Sequence, residues 1–343
     1  MWNGFGARKS LVLAALLALA ACAPSLSHPD ARAGDAPVSK ARAEIAAPGA
    51  PNATGGAFLA PDGAALPLRV WRAEDPRAVV IALHGFNDYS NAFALPGAWW
   101  AEHAQITTYA YDQRGFGAAP YPGRWPGADR LVADLAAFVE WVRATHPDAP
   151  IYVLGESMGA AVVIAAREAG ALRADGLILT APAVWGWSSM NPFLRASLWI
   201  GAHVAPGKTL SGRRLKRMPT DNIEILRGLA RDPLVIKETR IDAMYGLVGL
   251  MERAAKGADA LGTDALIVIG AKDDIIPSSA FRGFLKRICS RARVVELASG
   301  HHMLLRDLEA EATWAALAAW MKGEGDIAAR PGVAELAPSG SCS

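Results

Sequence analysis

The chain holds little of what marks a metalloprotein or a disulfide scaffold: three cysteines in 343 residues, Cys22, Cys289 and Cys342. Cys22 lies in a leader-like N-terminus, two cysteines do not make a zinc site, and no Cys/His spacing resembles one. Cys289 falls in a stretch of helical spacing and reads as a packed apolar residue. Cys342 sits in the C-terminal tail, where an oxidising compartment would allow the two to pair. Charge excess is also missing. The formal net charge is +2, and Arg8 and Lys9 account for it, so the remainder is near neutral and no basic field invites nucleic acid. There is no internal repeat. Gly115-x-Gly117 lacks the further glycine and the helix of a nucleotide-binding fingerprint. His28, His103, His146 and His203 sit in no recognisable pattern. The apolar run Leu11 to Ala21 is too short to span a bilayer.

What is present suits a folded protein with a large core: 52% of residues are apolar and 20% charged. At the N-terminus, Arg8 and Lys9 precede the apolar run, which ends in Leu19-Ala20-Ala21-Cys22. This order is that of a secretory signal, and its end resembles a bacterial lipobox, in which the cysteine is lipidated and becomes the new terminus. Residues 1–21 are then a signal peptide and Cys22 the lipidation site. Two or more acyl chains hold a protein stably at a membrane. With Ala23 rather than aspartate next, the resemblance implies a lipid-anchored protein of the bacterial cell envelope, at the outer membrane. Residues 22–56, rich in Ala, Pro, Gly and Ser, read as a flexible tether, and 323–343 as a disordered tail.

Between these ends, short apolar runs alternate with helical spacing. Leu66–Val70, Ala78–Leu83, Ile106–Tyr111, Ile151–Leu154, Leu177–Thr180, Leu266–Ile269 and Val294–Leu297 read as strands. Continuous apolar runs such as Ala78–Leu83 are those of strands covered on both faces. Leu131, Leu135, Phe138 and Val142 recur at helical spacing, and a helix is predicted over Ala310–Met321. Strands alternating with helices predict an α/β fold with a mostly parallel sheet. From 183 to 260 the rhythm breaks into a mainly helical segment with Trp185, Trp187, Met190, Phe193, Trp199 and Met218. That segment is predicted to be a helical cap, its aromatics either walling a pocket or fixing the cap to the body.

The densest signal is Gly155-Glu156-Ser157-Met158-Gly159, between an apolar strand and a small-residue helix. That is the setting of a nucleophile elbow, where glycines allow a strained turn and the serine hydroxyl stands exposed at the strand end. A serine needs a base and an orienting acid. Gly270-Ala271-Lys272-Asp273-Asp274 supplies an acid at a later strand end, Asp273 ahead of Asp274. Ser299-Gly300-His301-His302 supplies a base, His302 ahead of His301. His84-Gly85-Phe86-Asn87, after the strand ending at Leu83, can aim a backbone N–H at a developing oxyanion, with the N–H of Met158 as the second donor. In Asp112-Gln113-Arg114-Gly115-Phe116-Gly117 the glycines make a turn and Arg114 ties loops together.

These segments, from Leu83–Phe86 through Asp112–Gly117, Gly155–Gly159, Gly270–Pro277 and His302–Asp307, resemble the monoacylglycerol lipase and lysophospholipase group of α/β-hydrolases, also called serine aminopeptidase-like hydrolases. The resemblance spans about residues 57–321. It implies an α/β-hydrolase core over 57–182 and 261–322 and a helical cap over 183–260. It makes Ser157 the nucleophile, Asp273 the acid, His302 the base, and Phe86 and Met158 the oxyanion-hole amides. It implies no metal or organic cofactor. Asn87 departs from the pattern, standing where these enzymes often have glycine; Asn tolerates left-handed backbone. The expected activity is hydrolysis of carboxylic esters of acyl lipids, monoacylglycerols or lysophospholipids, through an acyl-enzyme. A short-chain esterase, thioesterase or acyltransferase of the same fold is the first alternative, and a non-catalytic lipid-binding lipoprotein the second.

Overall fold

Apolar runs without a polar break form the centre of the sheet. The structure, a computed structural model, describes residues 43–45, 53–212, 217–288 and 292–337. The expected signal 1–21, Cys22, Cys289, Cys342 and most of 22–56 lie outside the described residues. In chain order the first half runs β1 (Ala43–Ile45), β2 (Ala53–Leu59), β3 (Ala65–Trp71), β4 (Ala78–Leu83), α1 (Ala94–His103), β5 (Ile106–Tyr111), α2 (Ala128–Thr145), β6 (Ile151–Glu156), α3 (Met158–Glu168) and β7 (Gly176–Thr180). A largely helical insertion follows: α4 (Pro192–Val204), β8 (Thr209–Ser211), α5 (Ile223–Arg231), β9 (Glu238–Arg240) and α6 (Ile241–Lys256). The chain then returns through β10 (Ala265–Gly270), α7 (Ser278–Leu285), β11 (Arg293–Leu297), α8 (Ala310–Met321) and β12 (Val333–Glu335).

The main sheet has ten strands in the order β1-β2-β3-β5-β4-β6-β7-β10-β11-β12. The six from β5 to β11 are parallel, and antiparallel strands extend both ends. Every residue of β4 is buried, and its side chains alternate between layers with the period of two a strand imposes. Val79, Ile81 and Leu83 join the core under α2 and α3, whereas Ala78, Val80 and Ala82 join the core under α1 and α8. Two layers of helix therefore enclose one sheet. This is the α/β-hydrolase fold, and the strands expected from the apolar runs all lie in it.

Three stretches differ from expectation. The segment expected to be a tether is paired into the sheet at β1 and from Ala53 onward in β2. The tail expected to be disordered from residue 323 buries Ile327, and β12 pairs antiparallel with β11. Arg293 reaches Glu335 at 3.1 Å and also bonds Asp326. Three-residue strands carry no periodicity to read; partners on the existing sheet edge create them. Within the segment expected to be a cap over 183–260, α6 belongs to the body. It packs on α3 and buries Ile241, Ala243, Val248, Leu250, Met251 and Ala254, so the outlying part ends near β9. Among the described residues no helix is long and apolar enough to cross a membrane.

Candidate active site

The carboxyl ends of β4, β6, β10 and β11 carry the four loops in which chemistry was expected. After β6 the chain turns so sharply that Ser157 takes φ 55°, ψ −112°, a left-handed strained conformation that stands its hydroxyl clear of the backbone. The turn exists because of its glycines. A Cβ on Gly159 would lie 2.1 Å from the Leu83 carbonyl oxygen, so only glycine lets the elbow press against the end of β4. The Ser157 N–H donates to the Thr180 carbonyl at 3.0 Å, which ties the elbow to β7.

The loops after β10 and β11 meet at a second glycine. A Cβ on Gly270 would fall 2.3 Å from the Gly300 oxygen, and the Lys272 N–H donates to that same oxygen at 2.9 Å. This contact brings Asp273 beside His302. Asp273 Oδ2 lies 2.8 Å from His302 Nδ1, and His302 Nε2 lies 2.9 Å from Ser157 Oγ. A carboxylate only accepts, so Nδ1 carries the proton and Nε2 faces the serine hydroxyl as the acceptor. Burial pushes the Asp273 carboxyl up. The hydrogen bond and charge of His302, with the N–H groups of Ile276 and Ile275, outweigh burial and hold it below its ordinary range. Asp273 Oδ1 accepts from Ile275 and Ile276 at 2.8 and 3.1 Å, so both oxygens are engaged and the carboxylate cannot rotate away.

The neighbouring candidates go elsewhere. Asp274 faces the insertion instead of the imidazole: its Oδ2 accepts the Met218 N–H at 3.2 Å. His301 turns away to Asp307. Gly85 abuts the elbow, since a Cβ there would touch Ser157 Cβ at 3.4 Å, which places the Phe86 backbone beside the serine. Met158 is the first residue of α3, where helix N–H groups lack partners within the helix and the dipole is positive. Asn87 takes φ 65° and still closes its turn. Its Nδ2 donates to Thr239 Oγ1 at 2.6 Å, and its carbonyl accepts from Ile236 at 2.9 Å. Arg114 ties loops as expected, reaching Asp134 and Asp62 at 2.6 Å each.

One part of the site escaped the sequence. Arg306 is buried with Asp88 and Glu156, donating to Asp88 Oδ2 at 2.7 Å and to Glu156 Oε1 at 2.6 Å. Asp88 belongs to the loop after β4, Glu156 directly precedes Ser157, and Arg306 follows His302 by four residues. A single guanidinium therefore joins the oxyanion, nucleophile and histidine loops. Arg306 stands directly after the apolar Met303-Leu304-Leu305 and before Asp307. An adjacent Arg-Asp pair ordinarily reads as solvated, so nothing in the sequence named Asp88 and Glu156 as its partners. His84, at the head of the oxyanion segment, is fully buried. Its Nδ1–H donates to the Gly85 carbonyl at 2.8 Å and its Nε2 accepts the Gln113 N–H at 3.0 Å. Both bonds require the neutral ring, and burial holds its pKa below the ordinary value.

A family model described as serine aminopeptidase, S33, matches residues 74–309, more than half of the chain. The chain belongs to this family. Among curated proteins, a monoacylglycerol lipase of Mycolicibacterium smegmatis is 29% identical over 255 residues, covering 68% of this chain and 84% of its own. Phospholipase YtpA of Bacillus subtilis is 24% identical over 211 residues, covering 60% of this chain and 78% of its own. Among solved structures, a monoacylglycerol lipase of Paleococcus ferrophilus superposes with TM-score 0.64 at 20% identity, over 76% of this chain and 99% of that one. A soluble variant of monoglyceride lipase from Saccharomyces cerevisiae, bound to a substrate analog, gives 0.61 at 19% identity, over 84% and 98%. These two similarities concern the fold. The family, with the triad geometry, makes this chain a serine hydrolase of the lipase and esterase type.

Proposed function

We propose that the protein hydrolyses carboxylic esters of acyl lipids, monoacylglycerols or lysophospholipids, through an acyl-enzyme on Ser157. The observation that carries this is the imidazole of His302 held between Ser157 Oγ and Asp273 Oδ2 at 2.9 and 2.8 Å. Ser157 Oγ attacks the ester carbonyl carbon while His302 Nε2 takes the hydroxyl proton. The oxyanion that forms faces the N–H groups of Met158 and Phe86, each such donor being worth about 10²–10³ in turnover. His302 returns its proton to the departing alcohol and then deprotonates a water, which cleaves the acyl-enzyme to free acid and Ser157. Asp273 remains ionised throughout and stabilises the imidazolium.

The lipid part of the reading rests on the insertion and on what the relatives are named. Helix α4 leaves Phe193 84% and Val204 64% exposed, with Leu194 and Ile200 beside them. With Trp187, Trp199 and Tyr245, α4 also lines a groove of about 1030 Å³ that contains none of Ser157, His302 or Asp273. An apolar surface of this kind suits a substrate or interface rich in hydrocarbon. Lipidation at Cys22 would hold the enzyme in the envelope beside such substrates; fatty-acid labelling that disappears in Cys22→Ala is the expected result.

A panel of esters graded by chain length and headgroup tests the substrate. Long-chain monoacylglycerol or lysophospholipid should have the highest kcat/KM; a maximum at acetate or butyrate esters removes the lipid reading and favours a short-chain esterase.

A further inference from the structure

We propose that Asp221, His301 and Asp307 form a binding site for a divalent cation of the zinc class, which locks the insertion onto the loop carrying His302. Among the described residues these three alone bring metal-ligating atoms together, all within 4.8 Å of one another. Two ligand-type atoms of these residues are buried without hydrogen-bond partners: His301 Nδ1 and Asp307 Oδ1. The Asp307 side chain is only 7% exposed, and a buried carboxylate oxygen without a donor carries an uncompensated desolvation cost.

Distance separates a ligand pair from a hydrogen bond. His301 Nδ1 and Asp307 Oδ1 are 3.6 Å apart, too far for an N–H···O bond. Two ligands each about 2.1 Å from one tetrahedral zinc ion stand roughly 3.4 Å from each other. The remaining carboxylate oxygens are occupied in a way that aims the free ones. Asp307 Oδ2 accepts the His301 N–H at 2.8 Å, and Asp221 Oδ1 accepts the Leu308 N–H at 2.9 Å. Such outer bonds orient metal-binding side chains. One imidazole with two carboxylates suits zinc or a similar transition ion better than calcium or magnesium, which prefer all-oxygen shells.

The placement gives the ion a structural task. Asp221 comes from the insertion, His301 and Asp307 from the loop that holds His302. The same two segments already touch through Met303 N–H to the Pro219 carbonyl at 2.7 Å and Thr220 Oγ1 to the Arg306 carbonyl at 3.1 Å. An ion at Asp221 would add coordinate bonds to these polar contacts, one residue away from the base.

The test uses the full untagged chain, stripped with a chelator and titrated with Zn²⁺ against a chromogenic competitor. One equivalent should bind, and His301→Asn and Asp221→Asn should each weaken it by about tenfold or more. Circular dichroism of both variants reports that they are folded, and Asp221→Asn is a near-isosteric change on the insertion. No saturable zinc binding by the unsubstituted chain overturns the proposal, as does unchanged binding in a folded variant, which would place the metal at other residues. Preference for Ca²⁺ or Mg²⁺ overturns the assigned class. The readout is metal bound rather than ester cleaved, so it stands or falls separately from the proposed substrate.

Discussion

The sheet and the outlying insertion are built by opposite rules. In β4, β5, β7 and β10 every residue is buried. By contrast α5 buries none, and α4 buries only Leu198 and Ala202. The sheet is held by apolar area and ladder bonds, which are insensitive to any single polar group. The outlying insertion is sewn to the body by discrete polar contacts: Asn87 to Thr239, Tyr89 Oη to Asp232 at 2.6 Å, Asp274 to Met218, and Thr220 to Arg306. All of these stitches land on the loops that carry the site. A body packed by area fixes the reacting atoms, and the insertion meets their loops through directional polar bonds.

The largest effects are expected where the body holds the chemistry. Ser157→Ala, His302→Ala and Asp273→Asn should each lower kcat by about 10⁴ or more with the melting temperature little changed. Asp274→Asn, one residue away but bonded to the insertion, should lose less than about tenfold; a loss equal to that of Asp273→Asn would reverse the assignment of the acid. Next comes Arg306→Met, which strands Asp88 and Glu156 as buried charges. It should cost about 3–5 kcal/mol in urea unfolding and reduce kcat more than it raises KM. Arg306→Lys should restore part of the stability but not the two-armed geometry, so its kcat should stay low.

The pH dependence of the body should be smaller and has a definite sign. His84 is neutral when folded and its pKa is depressed from 6.5. The stability tied to its neutral form is fully present above that value and is lost as pH falls from 6.5 through the folded pKa. The melting temperature should decline over that window, and His84→Asn should flatten the decline. The Asp273 shift acts lower: its depressed pKa contributes stability above the ordinary carboxylate range, and that is lost only in stronger acid. The smallest change in stability belongs to the insertion. Phe193→Ser with Ile200→Ser should move the unfolding free energy by less than about 1 kcal/mol, since both side chains are exposed, yet raise KM for long-chain esters while short-ester turnover is kept. Equal losses on both substrates would show that α4 supports the fold rather than the apolar substrate.

Local patterns were enough wherever a residue's role follows from its immediate neighbours. Continuous apolar runs placed the central strands because a strand buried on both faces is built mainly from apolar side chains. Ala310–Met321 was legible as a helix, and Gly155 to Gly159 as a sharp turn, because glycine and small residues leave few alternatives. The order of Ser157, Asp273 and His302, each after an apolar run, was likewise readable, since strands of a parallel sheet end at the same edge. Helix α6 was misplaced in the cap because helical periodicity shows that one face is buried but not against what.

The sequence ranked Asp273 over Asp274 and His302 over His301, but only tertiary structure supplied the physical reason, and it alone decided that Arg306 joins three loops. Neighbouring residues share composition and context, and only the crossing of distant backbones, at Gly270 against Gly300 and Gly159 against Leu83, gives them different partners. Whether a charge far from its counterpart in sequence is solvated or buried in a network depends on where the sheet brings the loops. No pattern along a single strand or helix carries that information.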